Sequence, residues 1–236
     1  MLSFPKAFLA LGLLSVANLA QAAIIELNAD HFSVTYETDQ LGPYAQGLVS
    51  DSQDTVYFNS NSFKATAPGA QGVASVLLQL TLTIDPGYTF AGLSFTERGN
   101  YYLYGDGAVN VETVVTLADL ATPDSAVLNL ATGSSLDVIQ QLTLWELGGV
   151  LGPVGPDAPQ TLMITLDSNL FSSASAGLAF IQNTYAGFQV MTEPAAVPEP
   201  SSWALLLAGI LAALLVGRRK VHTPSWHAAV SGSVKA

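Results

Sequence analysis

The 236-residue sequence contains no cysteine, and charged residues make up only 11% of it. Without cysteine, a disulfide framework, a thiolate metal site and a cysteine nucleophile are all excluded. Because apolar residues reach 50%, the low charge does not indicate a disordered or coiled-coil chain. The length predicts one folded domain with processing segments.

Basic residues are scarce in the middle of the chain. Residues 23–199 hold all 18 acidic residues but only Lys64 and Arg98 as basic ones, which gives a net charge of −16. Nucleic acids and anionic membrane surfaces attract clustered Lys and Arg, so neither is a predicted partner of this part of the chain. The remaining basic residues lie near the two ends: Lys6, Arg218, Arg219, Lys220 and Lys235.

The N-terminal segment has the pattern of a signal peptide. Lys6 precedes the apolar run Ala7–Val16, and the small residues Ala20 and Ala22 suit the A-x-A pattern that signal peptidase cleaves. We predict cleavage before Ala23 by signal peptidase, and export of the body. The alternative is an uncleaved N-terminal anchor, although the run is shorter than the roughly 20 residues of a bilayer span.

A second apolar segment lies near the C-terminus. Trp203–Val216 has no charged residue, and the cations Arg218, Arg219 and Lys220 follow it. Since such clusters stay in the cytoplasm, we predict a transmembrane helix over residues 203–217, with these cations as a basic stop and the body outside. The apolar run covers about 21 Å as a helix, against a hydrocarbon core of roughly 30 Å, and a buried core helix is the alternative.

The residues before this helix complete a specific pattern. Val197, Pro198, Glu199 and Pro200, followed by the apolar run and the cations, resemble the PEP-CTERM sorting signal of Gram-negative, biofilm-forming bacteria. The prolines lack an N–H group and favour extended backbone, which keeps the motif outside the helix and accessible. The resemblance implies that exosortase, a membrane transpeptidase-like enzyme, cleaves near the motif and passes the body to the cell surface or the medium. The alternative is a linker ahead of a permanent anchor.

These signals divide the chain into four segments. They are a signal peptide (1–22), a body (23–196), a sorting signal (197–220, with its motif at 197–202) and a cytoplasmic extension (221–236). The extension departs from the family, whose signal usually stops soon after the basic cluster. The two ends agree on topology, with the body outside and transiently anchored to the inner membrane.

The body shows the period-two alternation of half-buried antiparallel strands. In Val76–Ile84, for example, Leu78, Leu80 and Leu82 share one face. No amphipathic helix of three turns alternates with these runs, so we predict an all-β fold, either a two-layer antiparallel β-sandwich or a jelly roll. The predicted strands are 24–27, 32–36, 55–58, 76–84, 88–95, 101–104, 109–117, 142–147, 162–166, 178–181 and 188–191.

Two segments between these strands are less regular. Ser134–Leu147 has apolar residues at every third position, as a helix would, but Leu142, Thr143 and Leu144 favour a strand, which is our prediction. Gly148–Gln160 is rich in Gly and Pro and is predicted to be a surface loop.

Catalytic patterns are weak. His31 is the only histidine of the body, no G-x-S-x-G setting accompanies it, and we interpret it as a surface residue at a strand end. Carboxylate pairs such as Asp51 with Asp54, or Asp119 with Asp124, have the chemistry of a glycosidase. Chance proximity explains them as well in so acidic a chain, and we predict that the protein is not an enzyme.

We predict no cofactor, and two ligand hypotheses remain. Calcium suits an acidic exported body, and the nearest loop is Gly105–Gly107, with Asn110 and Glu112 following; a tight Asp-Gly hairpin turn is the alternative, and it is the interpretation we favour. Tyr101, Tyr102 and Tyr104 would contact a glycan if they shared one exposed face; packing within the sheet is the alternative.

Two functions fit these features. The first is a surface-sorted, non-catalytic protein associated with the exopolysaccharide matrix of a biofilm. The second is a carbohydrate-binding or adhesive module delivered by the same route.

Overall fold

The computed structural model describes residues 22–132, 140–155, 159–196 and 202–218. It divides into two units, one ending at Pro194 and one beginning at Ala195. The first unit is built from β-strands and contains, besides them, a short 3-10 turn at Thr38–Leu41. The second contains one helix. The prediction of an all-β body with antiparallel sheets is confirmed.

Twelve strands occur in the described part of the chain. They are β1 (Ile24–Asn28), β2 (Phe32–Glu37), β3 (Leu48–Val49), β4 (Thr55–Asn59), β5 (Lys64–Pro68), β6 (Gln71–Ile84), β7 (Tyr88–Gly105), β8 (Ala108–Asp119), β9 (Ser125–Ala131), β10 (Thr143–Leu151), β11 (Thr161–Ser173) and β12 (Gly177–Pro194).

The strands form two antiparallel sheets. The first sheet has the order β1-β2-β6-β11-β8-β9. The second has the order β10-β7-β12-β4-β3, and β5 also pairs with β12, beyond the end of β4. The inward faces of both sheets contribute to one hydrophobic core, as in a β-sandwich.

Alternation along the central strands builds this core. Leu78 on β6, Leu166 on β11 and Val115 on β8 are paired in register and are each 0% exposed. Their neighbours along each strand point outward, because successive side chains of a strand leave opposite faces. The apolar face predicted for Val76–Ile84 is confirmed: Leu78, Leu80, Leu82 and Ile84 are all buried.

The connectivity differs from a series of hairpins. From β5 to β12 the chain changes sheet at every connection except that between β8 and β9. The turn at Gly105–Gly107 therefore carries the chain from the second sheet to the first, and the interpretation of this turn as a tight hairpin is wrong. Asp85–Gly87 crosses between the sheets in the same way.

Two long strands were predicted as separate pieces. The segments 88–95 and 101–104 both belong to β7, and 178–181 and 188–191 both belong to β12. The apolar pattern breaks in β7 because Glu97 occupies an inward position. In β12 it breaks because Asn183 does so, and a register shift follows between Asn183 and Tyr185.

Other differences concern short or irregular strands. Three strands were not predicted. β3 has only two residues, β5 is rich in alanine, and the exposed Val127 beside Leu128 obscures the alternation of β9. β10 extends to Leu151, so the predicted loop at Gly148–Gln160 is wrong for its first four residues. The helical alternative is wrong for Thr143–Leu147, which is strand; residues 133–139 lie outside the described part.

The second unit contains helix α1 (Ser202–Arg218), which spans 17 residues. Among the described residues, no helix combines the length and the apolar character needed to cross a membrane. The membrane-spanning role of residues 203–217 therefore stays a prediction. The signal-peptide residues up to Gln21, including Ala20, lie outside the described part, and cleavage between Ala22 and Ala23 likewise stays a prediction.

Candidate functional site

The predicted sorting residues fall on and around helix α1. Arg218 is its last residue, whereas Arg219 and Lys220 lie outside the described part, as do the motif residues 197–200 and the extension 221–236. The helix exposes apolar side chains on all sides between Leu205 and Leu214. Such a helix has no polar face to turn toward water, so its physical chemistry suits an apolar environment. The exposed large side chains are Leu205, Leu206, Leu207, Ile210, Leu211 and Leu214.

The three candidate glycan-binding tyrosines do not share a face. Tyr101 is 1% exposed and points into the core, whereas Tyr104 on the opposite face of β7 is 52% exposed. Tyr102 shares the outward face with Tyr104 and is half-buried. Adjacent residues of a strand point in opposite directions, so the expectation of one exposed face is wrong for Tyr101. Glycan contact by Tyr102 and Tyr104 stays a prediction.

The candidate calcium loop is held by hydrogen bonds to protein groups. One oxygen of Asp106 accepts the N–H groups of Ser175 and Ala176, at 3.1 and 2.8 Å, and the other accepts the Ser175 hydroxyl. The hydroxyl and these amides lower the pKa of Asp106. Through these hydrogen bonds, Asp106 connects the turn before β8 with the turn before β12.

The other residues of that candidate site form a separate hydrogen-bonded group. The side-chain amide of Asn110 donates to Glu112 at 3.1 Å and accepts the Thr132 hydroxyl at 2.9 Å. In the described parts of the chain, no three His, Asp or Glu side chains come together as a metal site. Calcium binding stays a prediction.

The carboxylate pairs considered for glycosidase chemistry lie in turns. Asp54 accepts hydrogen bonds from Ser52 at 2.5 Å and from Gln189 and Thr55 at 2.8 Å. The Ser52 and Gln189 bonds lower its pKa to about 2, whereas a general acid of a glycosidase needs a raised pKa.

The second pair, Asp119 and Asp124, shares the hydroxyl of Thr122, which donates to them at 2.8 and 3.2 Å. These bonds close the turn between β8 and β9.

His31 lies in the turn between β1 and β2, where its backbone has φ 71°. Its ring stacks on Tyr88 with the centroids 3.6 Å apart, and its Nε2 atom lies 3.4 Å from a carboxylate oxygen of Asp30. The stacking and the neighbouring acid account for the position of the imidazole, in agreement with a surface residue next to a strand.

A buried polar cluster, absent from the sequence predictions, lies between the sheets. It consists of Glu97, Thr113, Ser168, Asn183 and Tyr44, of which the first four are at most 1% exposed. Thr113 and Ser168, from the first sheet, donate hydroxyl hydrogen bonds to Glu97 at 2.6 and 2.7 Å. Asn183 donates its amide to Glu97 and, at 3.3 Å, to the Tyr44 hydroxyl. The cluster therefore hydrogen-bonds the two sheets to each other through one carboxyl group.

The electrostatics of this cluster are unusual for a core. Burial raises the pKa of Glu97, and the hydrogen bonds from Thr113, Ser168 and Asn183 oppose this shift only in part. Burial and the charge of Glu97 raise the pKa of Tyr44 well above its ordinary value. Among the described residues, Oδ1 of Asn183 has no hydrogen-bond donor. The only sequence signal for the cluster is the break in apolar alternation at residues 97 and 183.

The outer face of the second sheet carries a different group of side chains. Glu146 on β10, Arg98 on β7 and Tyr185 on β12 occupy successive positions of one cross-strand row. The Arg98 guanidinium lies 4.2 Å from the centre of the Tyr185 ring, and this ring stacks on Tyr57 at 5.6 Å. A Cβ atom at Gly187 would meet the Tyr185 ring at 2.7 Å, so only glycine leaves room for it.

Beside this stack lies a shallow depression. Trp145 forms part of its wall and donates its indole N–H to the carbonyl oxygen of Gln182 at 3.2 Å. Leu144 projects next to it and is 82% exposed. The lining residues are Arg98, Gly99, Leu144, Trp145, Glu146 and Thr184. From the sequence, Arg98 was counted only as one of the two basic residues of the body, because its partners come from β10 and β12.

Comparison with known families identifies the C-terminal segment. Residues 196–220 match the model of the PEP-CTERM protein-sorting motif, which is the signal of exosortase substrates. The resemblance seen in the sequence is thus confirmed, and with it a signal for export and sorting to the cell surface. The match covers the predicted motif, the helix and the basic stop. No curated protein matches the chain.

Solved structures resemble the chain only distantly. TmCBM61 in complex with beta-1,4-galactotriose is 10% identical, with 74% of this chain and 90% of that chain covered and a TM-score of 0.25. Eiger TNF from S. frugiperda is 9% identical, with 74% and 88% covered and a TM-score of 0.26. A cyclase from Fischerella sp. TAU is 16% identical, with 70% and 76% covered and a TM-score of 0.24. Likenesses this low support no inference about function.

Proposed function

We propose that this protein is an exported, non-catalytic surface protein that exosortase processes and that associates with the extracellular polysaccharide matrix. The observation that carries the proposal is the sorting motif at residues 196–220, placed directly after a β body. Two candidate residues support the non-catalytic part of the proposal: hydrogen bonds lower the pKa of Asp54, and the ring of His31 stacks on Tyr88.

The proposal includes a transient membrane anchor. Helix α1 is about 26 Å long at 1.5 Å per residue, a few ångströms short of the hydrocarbon core, and local thinning of the bilayer accommodates such a difference. Arg218 and the following cations would hold its end in the cytoplasm after signal peptidase has removed residues 1–22. Cleavage near Val197–Pro200 would then separate the body from the helix.

Replacement of Pro198, Glu199 and Pro200 by alanine tests the sorting step. We expect the variant to accumulate in the membrane fraction as a longer form that retains helix α1, because the enzyme no longer recognises its motif. The matched control replaces Glu193 and Pro194 by alanine. These are the same residue types as in the motif, but they lie upstream of it, so this variant should be processed normally. Normal processing of the motif variant, measured by immunoblot and intact mass, would overturn the assignment.

Carbohydrate binding is the second candidate function. The outer-face group of Arg98, Tyr185 and Glu146 favours it, because aromatic rings, guanidinium groups and carboxylates at a depression are the groups that orient polar ligands. Delivery by the sorting motif would place such a module in contact with exopolysaccharide.

A further inference from the structure

We infer that the depression beside Arg98 binds a neutral pyranose unit of a polysaccharide, with Arg98 as hydrogen-bond donor and Glu146 as acceptor. This inference rests on the second candidate function and names its site and its ligand class. The tyrosines 101, 102 and 104 are not part of the depression.

Arg98 is held in place for this role. Its guanidinium lies over the Tyr185 ring, which Tyr57 supports from a neighbouring strand. In the described part of the chain the guanidinium forms no ion pair, although Glu146 is its neighbour in register. A planar donor fixed by stacking loses little side-chain entropy when it binds a ligand. Arg98 is one of the residues that line the depression.

The other lining groups complement a sugar. Hydroxyl groups of a pyranose both accept and donate hydrogen bonds, so one pair of neighbouring hydroxyls can accept from Arg98 and donate to Glu146. The Leu144 side chain, 82% exposed, offers an apolar surface to the C–H face of the ring. Trp145 keeps this edge rigid, because its indole N–H is bound to the Gln182 carbonyl.

Charge decides between neutral and acidic sugars. Residues 23–199 carry a net charge of −16, and Glu146 itself lines the depression. A carboxylated or sulfated sugar would gain one attraction to Arg98 but would meet repulsion from Glu146 and from the field of the whole body. A neutral sugar is therefore the expected ligand.

Binding is tested with the full-length chain, purified in a detergent without a sugar headgroup. Affinity electrophoresis against dextran, mannan and laminarin, with polygalacturonate as the acidic probe, should show retardation by at least one neutral polysaccharide. Arg98→Ala should weaken that binding at least about tenfold, because it removes a hydrogen bond from a charged donor. Glu146→Gln should also weaken it, because a neutral amide oxygen replaces a charged acceptor. Arg98→Lys, which keeps the charge but not the planar stack, should also weaken it.

Lys64→Ala is the matched control, since it removes the other cation of the body from the exposed side of β5 in the same sheet. It should leave the affinity unchanged, and thermal unfolding should show that all variants fold. No retardation by any neutral polysaccharide, binding that survives both substitutions, or binding to polygalacturonate alone would overturn the inference. The sorting proposal is unaffected by these outcomes, and the alanine variant of the sorting motif should still bind.

Discussion

The central strands of both sheets pair antiparallel, but the side chains that they turn toward the core differ. In the first sheet, Leu78, Leu166 and Val115 form an uninterrupted apolar row. In the second sheet, β7 and β12 place Glu97 and Asn183 at inward positions, where they take part in the buried polar cluster. The apolar row depends on packing alone. The inward positions of β7 and β12 also depend on hydrogen bonds, including those from Thr113 and Ser168 of the first sheet, and on the protonation of one carboxyl group. The difference predicts different responses to mutation and to pH.

The largest effect is expected in the apolar row. Leu166→Ala should lower the free energy of unfolding by about 2–5 kcal/mol, because it leaves a cavity between two packed strands. The loss should be the same from pH 4 to pH 8, measured by denaturant unfolding. Val127→Ala on β9, an apolar residue that is 53% exposed, is the control and should change stability by less than about 0.5 kcal/mol. Equal losses in both variants would contradict the placement of the core.

A smaller, pH-dependent effect is expected in the buried polar cluster. Because burial raises the pKa of Glu97 above its unfolded value, the stability it contributes is fully present below that value and is lost as the pH rises through the folded pKa. Glu97→Gln keeps the shape of the side chain but removes the titration. We expect this variant to gain stability relative to the wild-type chain as the pH rises from 4 to 8, because the wild-type carboxyl must then ionise in a buried setting.

Glu112→Gln on the exposed face of β8 provides the control for this titration. Its unfolding profile should follow that of the wild-type chain across the same pH range. Parallel profiles for the Glu97 variant and the wild-type chain would show that Glu97 does not titrate in a buried setting.

The smallest effect is expected at the surface. The pKa of Asp54 is lowered from 3.8 to about 2 by its hydrogen bonds to Ser52 and Gln189, so its contribution to stability is present above 3.8 and is lost as the pH falls toward 2. Since the side chain is largely solvated, Asp54→Asn should lower stability at pH 7 by at most about 1 kcal/mol. This difference should fall to a small fraction of that value at pH 2, where the folded carboxyl is about half protonated. A difference of undiminished size at pH 2 would show that the charge of Asp54 is not its cause.

The same two regions explain how far the sequence predicts the fold. Leu78, Leu80 and Leu82 alternate with polar residues, so their strand and its buried face follow from the pattern alone. Glu97 and Asn183 interrupt that pattern, and the strands that contain them were divided in two. Whether a polar residue in a strand is buried depends on partners such as Ser168, which only the pairing of distant strands supplies.

The candidate sites also differ in whether the local sequence is enough to predict them. The sorting motif is a local sequence with a fixed order of parts, and it was identified from the residues themselves. The group of Arg98, Tyr185 and Glu146 comes from three strands, and its assembly requires the register of β7 with both β10 and β12. The grouping of Tyr101 with Tyr102 was wrong for a local reason, because adjacent residues of a strand point to opposite faces of the sheet.

If exosortase processes this protein as proposed, the C-terminal helix is removed when the body reaches its destination. The intact mass of the protein recovered from the cell surface or the culture medium tests this removal. We expect a species that begins near Ala23 and ends near the Val197–Pro200 motif. A recovered species that still contains Leu205 through Arg219 would contradict it.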